Sequence, residues 1–266
     1  MLRFFILLAW LCEVWGGPLE TQKRAAEIQS DEGDVNSQSS NTYFVKHPET
    51  SLNISDEFAF DEGDIIVPSE RNAVSAVWPE VDGEMSVPYE IHFDLKDRTP
   101  QITEALKMIS NRTCIKFHPH RNETDYLKFL YGQGCASYVG CLGGEQNILI
   151  GPQCKVGNIC HEILHSLGLY HEHSRPDRGE HITILFENIV SGKADDFMVK
   201  KGNTLGINYD VESILHYGSN YFSRNGKPTI VPKDGAVKIG QRTHLSELDV
   251  ARLRKLYHCD RRENQV

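Results

Sequence analysis

His161, Glu162, His165 and His171 have the types and spacing to hold a metal ion and to work a water molecule beside it. They lie in the run His161-Glu162-Ile163-Leu164-His165-Ser166-Leu167-Gly168-Leu169-Tyr170-His171. Two histidines four apart on a helix share one face, a turn apart, and can grip one ion. Glu162, beside the first of them, can reach a metal-bound water without being a ligand itself. Gly168 can take a backbone angle denied to other residues, so the helix can stop there and the chain can return His171 to the metal. Three imidazoles leave one coordination position open, the arrangement of a catalytic rather than a structural zinc site.

These residues need a frame. The spacing predicts a metal-carrying helix over about 157–169. Ile102, Ala105, Leu106 and Ile109 give a second helical stripe, entered through Thr99-Pro100 with a capping residue and a first-turn proline. Tyr89, Ile91 and Phe93 alternate with polar residues as a strand does, and 114–117, 126–131 and 147–150 read as further strands. Ser246-Glu247-Leu248-Asp249 resembles a capping box that opens a last helix running to Tyr257.

Three separated motifs carry a family resemblance that covers roughly residues 60–259. The metal motif continues as His171-Glu172-His173-Ser174-Arg175-Pro176-Asp177-Arg178, which resembles the HExxRxDR tail of the astacin family of metzincins. Ser213-Ile214-Leu215-His216-Tyr217-Gly218 resembles that family's Met-turn, SxMHY, with Leu215 in the methionine's place. Phe60-Asp61-Glu62-Gly63-Asp64 resembles its propeptide inhibitory motif, FxGD, and the short build is similar to that of hatching enzymes.

The resemblance implies an α+β fold: an N-terminal twisted sheet with helices above an active-site cleft, and an irregular C-terminal half with a terminal helix. It implies a secreted zinc endopeptidase made as a zymogen, acting on extracellular proteins, with egg-envelope glycoproteins at hatching as a candidate substrate. His161, His165 and His171 would hold one zinc ion, with Glu162 as general base. Tyr217 would be a swinging fifth ligand that donates its hydroxyl to the oxyanion. Asp64 would fill the open zinc position until a trypsin-like protease cuts between Arg71 and Asn72. Glu172 would then meet the new Asn72 amine through water. Arg175, Asp177 and Arg178 are read as bracing the loop rather than touching substrate. The resemblance pairs Cys114 with Cys259 and Cys135 with Cys154; Cys141 and Cys160 remain, and a third bridge between them is inferred. The competing reading, which Leu215 allows, is a catalytically weak astacin-like binding protein.

Composition fits this organisation. Arg3, the apolar run 4–12, and Gly16-Gly17 read as a secretory signal over 1–16, a run too short to span a membrane. Residues 17–71 read as a propeptide and 72–266 as the catalytic domain. Of the formal charge of -9, most belongs to residues 1–71, with 5 Lys+Arg against 13 Asp+Glu; residues 72–266 hold 23 against 24. Nothing in that balance suggests a nucleic-acid surface, and no later stretch is apolar enough for a membrane span. The expected product is a secreted, soluble monomer. Without Cys12 the seven cysteines become six, an even count that in a secreted chain implies disulfides. Asn53, Asn111 and Asn122 begin N-glycosylation sequons.

Overall fold

Parallel pairing dominates the sheet on which the site is built, so its strands are linked by crossovers that place helices against a face. The computed structural model describes residues 47–50, 58–68, 77–81, 83–235 and 237–263, all within the unit Asn41–Val266. The 1–16 signal, the Arg71-Asn72 junction and Asn53 lie outside the described residues.

A hairpin of β1 (Ala59–Asp61) and β2 (Ile65–Val67) precedes β3 (Ser86–Ile91), which leads through a 3-10 turn into α1 (Thr99–Ser110). Then come β4 (Lys116–Pro119), β5 (Tyr126–Tyr131), β6 (Cys135–Ser137), β7 (Glu145–Ile150) and α2 (Val156–Ser166). The C-terminal half is mostly irregular, with β8 (Ile182–Ile184), β9 (Ile230–Pro232), α3 (Glu247–Leu256) and the short α4 (Cys259–Glu263). The sheet order is β1-β2-β6-β7-β5-β3-β4, with β8 and β9 as a separate antiparallel pair. Among the described residues, no helix is long and apolar enough to cross a membrane.

Helix α1 buries the expected stripe of Ile102, Ala105, Leu106 and Ile109, and packs against α2. Its cap differs from the reading: Thr99 is already helical and no side chain caps the first turn. The strand expected to reach Phe93 ends at Ile91, and Phe93 turns outward, 77% exposed. The capping box of α3 is present, with Ser246 and Asp249 each accepting from the other's backbone N–H.

Helix α2 stops at a Schellman turn. Gly168, at φ 100°, donates to the His165 carbonyl, and Leu169 donates to the Leu164 carbonyl. The main core gathers α1, α2, the sheet and α3, while a second cluster around Phe197, Tyr209, Tyr217, Tyr221 and Ile230 fills the C-terminal half.

Cys114 is bonded to Cys259 and Cys135 to Cys154. The third bridge inferred from sequence is not formed: Cys141 and Cys160 are buried free thiols. Cys160 lies inside α2 near Asp249 of α3, whereas Cys141 lies beside Gly143 and Asp125. The two thiols thus face different neighbours, and burial raises the pKa of both.

Two outcomes are expected. The Cys114–Cys259 bridge closes a loop with a sequence separation of 145, so in the chain-entropy picture replacing both by serine lowers stability by about 5 kcal/mol in denaturant unfolding. Thiol titration of the 72–266 chain should release two groups on unfolding and none in the native state; a chain with no titratable thiol would restore the third bridge.

Candidate metal centre

Three imidazoles meet at one buried point because three different backbone devices aim them there. Helix α2 sets His161 and His165 one turn apart on its inner face. The Schellman turn carries the Leu169 carbonyl over His165, whose Nδ1–H donates to it at 2.7 Å. His161 Nδ1–H donates to the Ile214 carbonyl at 2.8 Å, and His171 Nδ1–H to Glu62 Oε2 at 2.7 Å. With every Nδ1 proton so occupied, the Nε2 lone pairs point inward.

Those Nε2 atoms stand 2.9, 3.2 and 3.2 Å apart. Zinc–nitrogen bonds of ~2.0–2.1 Å at tetrahedral angles would set them roughly 3.3–3.4 Å apart. Asp64 completes the set, with its carboxylate oxygens 3.3 Å from His161 Nε2 and 3.2 Å from His171 Nε2. No donor points at either Asp64 oxygen. Lone pairs facing a carboxylate in a dry interior repel one another unless a cation lies between them. The donor set therefore fits a divalent metal, and Asp64, His161, His165 and His171 would hold it.

Glu162 is fully buried beside this set, and neither carboxylate oxygen has a hydrogen-bond donor. Burial first, and then the negative charges of Asp64 and Glu49, raise its pKa well above the usual carboxylate range. Tyr217 is fully buried; it lies outside the metal set, and its hydroxyl donates to the Glu62 carbonyl. Its ring stacks on His173 at 3.7 Å and lies edge-on to His171 and Phe197. Leu215 is fully buried in the main core.

Glu172 makes other contacts than the one read from sequence. Arg252 grips its carboxylate with both terminal nitrogens, and the Asp210 N–H donates to it at 2.6 Å. Asn72, its expected partner, lies outside the described residues. Arg175 forks onto Asp177 and donates to the Ile207 carbonyl, while Arg178 donates to the His173 and Phe197 carbonyls. Of the sequons, Asn122 and Thr124 are both exposed, whereas Thr113 of the Asn111 sequon is buried with its hydroxyl donating to Ile109.

Several contributors carry no signal in the sequence. Glu62 sits inside the Phe60–Asp64 motif, yet nothing in that motif marks its grip on His171. Glu49 is 1% exposed, although its neighbourhood reads as a polar tail. Its carboxylate accepts from Asn158 Nδ2 at 2.5 Å, Arg242 Nε at 2.9 Å and the Tyr221 hydroxyl at 3.3 Å. Arg242 and Asn158 are isolated polar residues whose partner lies more than a hundred positions away, and no local pattern marks such a contact.

A buried three-histidine centre, with two ligands a turn apart on a helix and the third on the loop that follows, is the arrangement of a zinc metalloendopeptidase. Known proteins agree with that class. The sequence profile of the astacin peptidase family matches residues 71–258. Low choriolytic enzyme of Oryzias latipes is 38% identical over 210 residues, spanning 74% of this chain and 78% of that protein. Astacin-like metalloendopeptidase of Gallus gallus is 40% identical over 210 residues, spanning 75% of this chain and 51% of that protein, so this chain matches about half of the longer relative. The solved structure of high choriolytic enzyme 1, described as a hatching enzyme zinc-protease from Oryzias latipes, aligns with a TM-score of 0.67 and 34% identity, over 71% of this chain and 100% of that one. The chain belongs to the astacin family of zinc-dependent endopeptidases.

Metal analysis of the chain purified without chelators is expected to find one zinc per molecule. Stripping it should lower the thermal midpoint, since the converging lone pairs lose the cation that reconciles them. An unchanged midpoint on removal and re-addition would show that the histidine cluster is not the binding site.

Proposed function

We propose that this chain is a secreted endopeptidase held latent by its own propeptide, residues 17–71, through Asp64, and that cleavage after Arg71 releases it to act on extracellular proteins. The observation that carries the reading is the Asp64 carboxylate, lodged among the three histidines where a fourth ligand belongs. The likeness to choriolytic enzymes supports egg-envelope proteins as the substrate class.

The fit of the inhibitory segment is tight. Strand β2 adds to the sheet beside β6, parallel to it, and the Ser137 N–H donates to the Asp64 carbonyl at 2.9 Å. Gly63 turns the chain at φ 82°, and a Cβ there would come 2.8 Å from the Phe222 ring and 3.0 Å from the Glu49 carbonyl. Glu62 grips His171, Lys200 holds Asp61 at 2.6 Å, and Glu49 is anchored by Arg242. Phe60 packs with Phe58 in the small cluster around Ile66, Ala136 and Leu149.

When bound, zinc supplies the positive charge that acidifies a water and polarises the scissile carbonyl. Glu162 takes the proton of that water and delivers it to the departing amine. Two of the negative charges that raise its pKa, on Asp64 and Glu49, leave with the segment, returning the carboxylate towards a proton-accepting state at neutral pH. Tyr217 loses its acceptor on Glu62 and becomes free to donate to the oxyanion. In the latent chain burial first, and then the charges of Asp64 and Glu62, raise its phenol pKa well above the usual value, so the hydroxyl carries its proton while the segment is seated.

The full chain should hydrolyse casein only after trypsin-like cleavage. Glu162→Gln should retain zinc and lower kcat of the cleaved enzyme by about 10²–10⁴-fold, the span a positioned base contributes; wild-type turnover would mean that the base lies elsewhere. Asp64→Ala, and more weakly Gly63→Ala, should give the uncleaved chain activity of its own. If Asp64→Ala stays silent until trypsin is added, another group closes the site.

A further inference from the structure

We infer that Asp249, on the C-terminal helix, is a positioning residue for the metal centre, acting through the Ser213–Leu215 turn on His161. Asp249 is fully buried, and its carboxylate gathers three donors. Oδ1 accepts from the Ser213 hydroxyl at 2.6 Å, and Oδ2 accepts from the Ile214 N–H at 2.9 Å and the Ser246 N–H at 3.1 Å. The Ser213 hydroxyl oxygen in turn accepts from the Leu215 N–H at 3.0 Å. The peptide units on both sides of Ile214 are thereby fixed.

The Ile214 carbonyl is the acceptor of His161 Nδ1–H. A carboxylate that fixes this turn therefore fixes where that carbonyl points, and with it the tautomer and tilt of the first imidazole. Groups one step behind a metal ligand act in this way, and their loss typically weakens metal binding by about 10–100-fold. Asp249 is two steps behind, yet its carboxylate and Ser213, Ile214 and Leu215 are all fully buried, so its hydrogen bonds to the turn do not compete with bulk water.

Helix capping alone does not account for this use of the carboxylate. The cap needs one oxygen on the Ser246 N–H, and the Asp249 N–H is already met by the Ser246 hydroxyl at 2.9 Å. The other bonds run across the chain to residues 213 and 214, more than thirty positions away. Asp210, which accepts from the Ser246 hydroxyl at 2.5 Å, braces the same cap from the loop before the turn.

The test compares Asp249→Asn with Leu253→Ala in the full chain, the latter truncating a buried apolar side chain on the same helix while leaving the donors and acceptors of the turn in place. Zinc affinity is read by chelator competition, and the ligand field by the visible spectrum of the cobalt-substituted protein. Asp249→Asn should bind zinc at least about tenfold more weakly than wild type and shift the cobalt bands. Leu253→Ala should lower the unfolding midpoint yet leave both readouts at wild-type values. If Asp249→Asn does not fold, Ser213→Ala makes a smaller cut in the same link and should weaken zinc binding severalfold. Wild-type affinity and spectrum in whichever of the two variants folds, or the same losses in Leu253→Ala, would overturn the role.

Discussion

Three imidazole lone pairs aimed at one dry point are the constraint on which the rest of this molecule depends. Without a cation the arrangement is repulsive; with one, it holds together a helix, a loop and a turn that otherwise share no continuous secondary structure. Each imidazole is oriented by an acceptor on its far nitrogen, and the acceptors come from separate parts of the chain: the Leu169 carbonyl past the end of α2, the Ile214 carbonyl in the turn before Tyr217, and the Glu62 carboxylate near the front. The irregular C-terminal half is thus tied to the regular N-terminal half through the metal site as well as through the Cys114–Cys259 bridge. Buried polar groups are costly unless paired, and the Asp64 carboxylate among the histidine lone pairs is matched by a cation at that point.

The front segment uses that same cost. Asp64, Glu62 and Glu49 are three acidic residues at 0–1% exposure, which is tolerable only because each faces a positive or proton-donating partner. Asp64 faces the metal centre, Glu62 faces His171 Nδ1–H, and Glu49 faces Arg242 and Asn158. Taking one of them away leaves its partner buried and unmatched. Under the proposed latency, these pairings are what would hold the segment in place before cleavage.

The parts of this arrangement legible in sequence are those encoded by short-range spacing. The four-residue step between His161 and His165, the glycine at 168, the α1 stripe and the α3 capping box each follow from helix geometry, and each is found within a residue or two of its expected place. The illegible parts depend on contacts between distant positions. Strands β1, β2 and β6 are three residues long, too short for a period-2 pattern to emerge, and they exist because they pair with one another and with β7. Cys141 and Cys160 invite a bridge because they are the two left over, but counting cysteines carries no information about which way a buried thiol faces. Arg252 on α3 grips Glu172 from eighty positions away, another contact that no local spacing marks.

Leu215 shows which feature of the turn beneath the histidines matters. The contacts that orient His161 and the loop after His171 are made by the backbone of this turn: the Ile214 carbonyl to His161, and the Leu215 carbonyl to the Glu172 N–H at 3.1 Å. The side chain at 215 makes no polar contribution and lies fully buried in the main core. Its requirement is apolar volume of about the right size, which leucine meets in place of methionine at a typical cost under about 1.5 kcal/mol. A thioether could add softness or a weak sulfur contact, but the turn's shape is already set by the Ser213 hydroxyl and the Asp249 carboxylate. At position 215 of this chain the side chain contributes packing, whereas the backbone on either side of it orients His161 and the loop after His171.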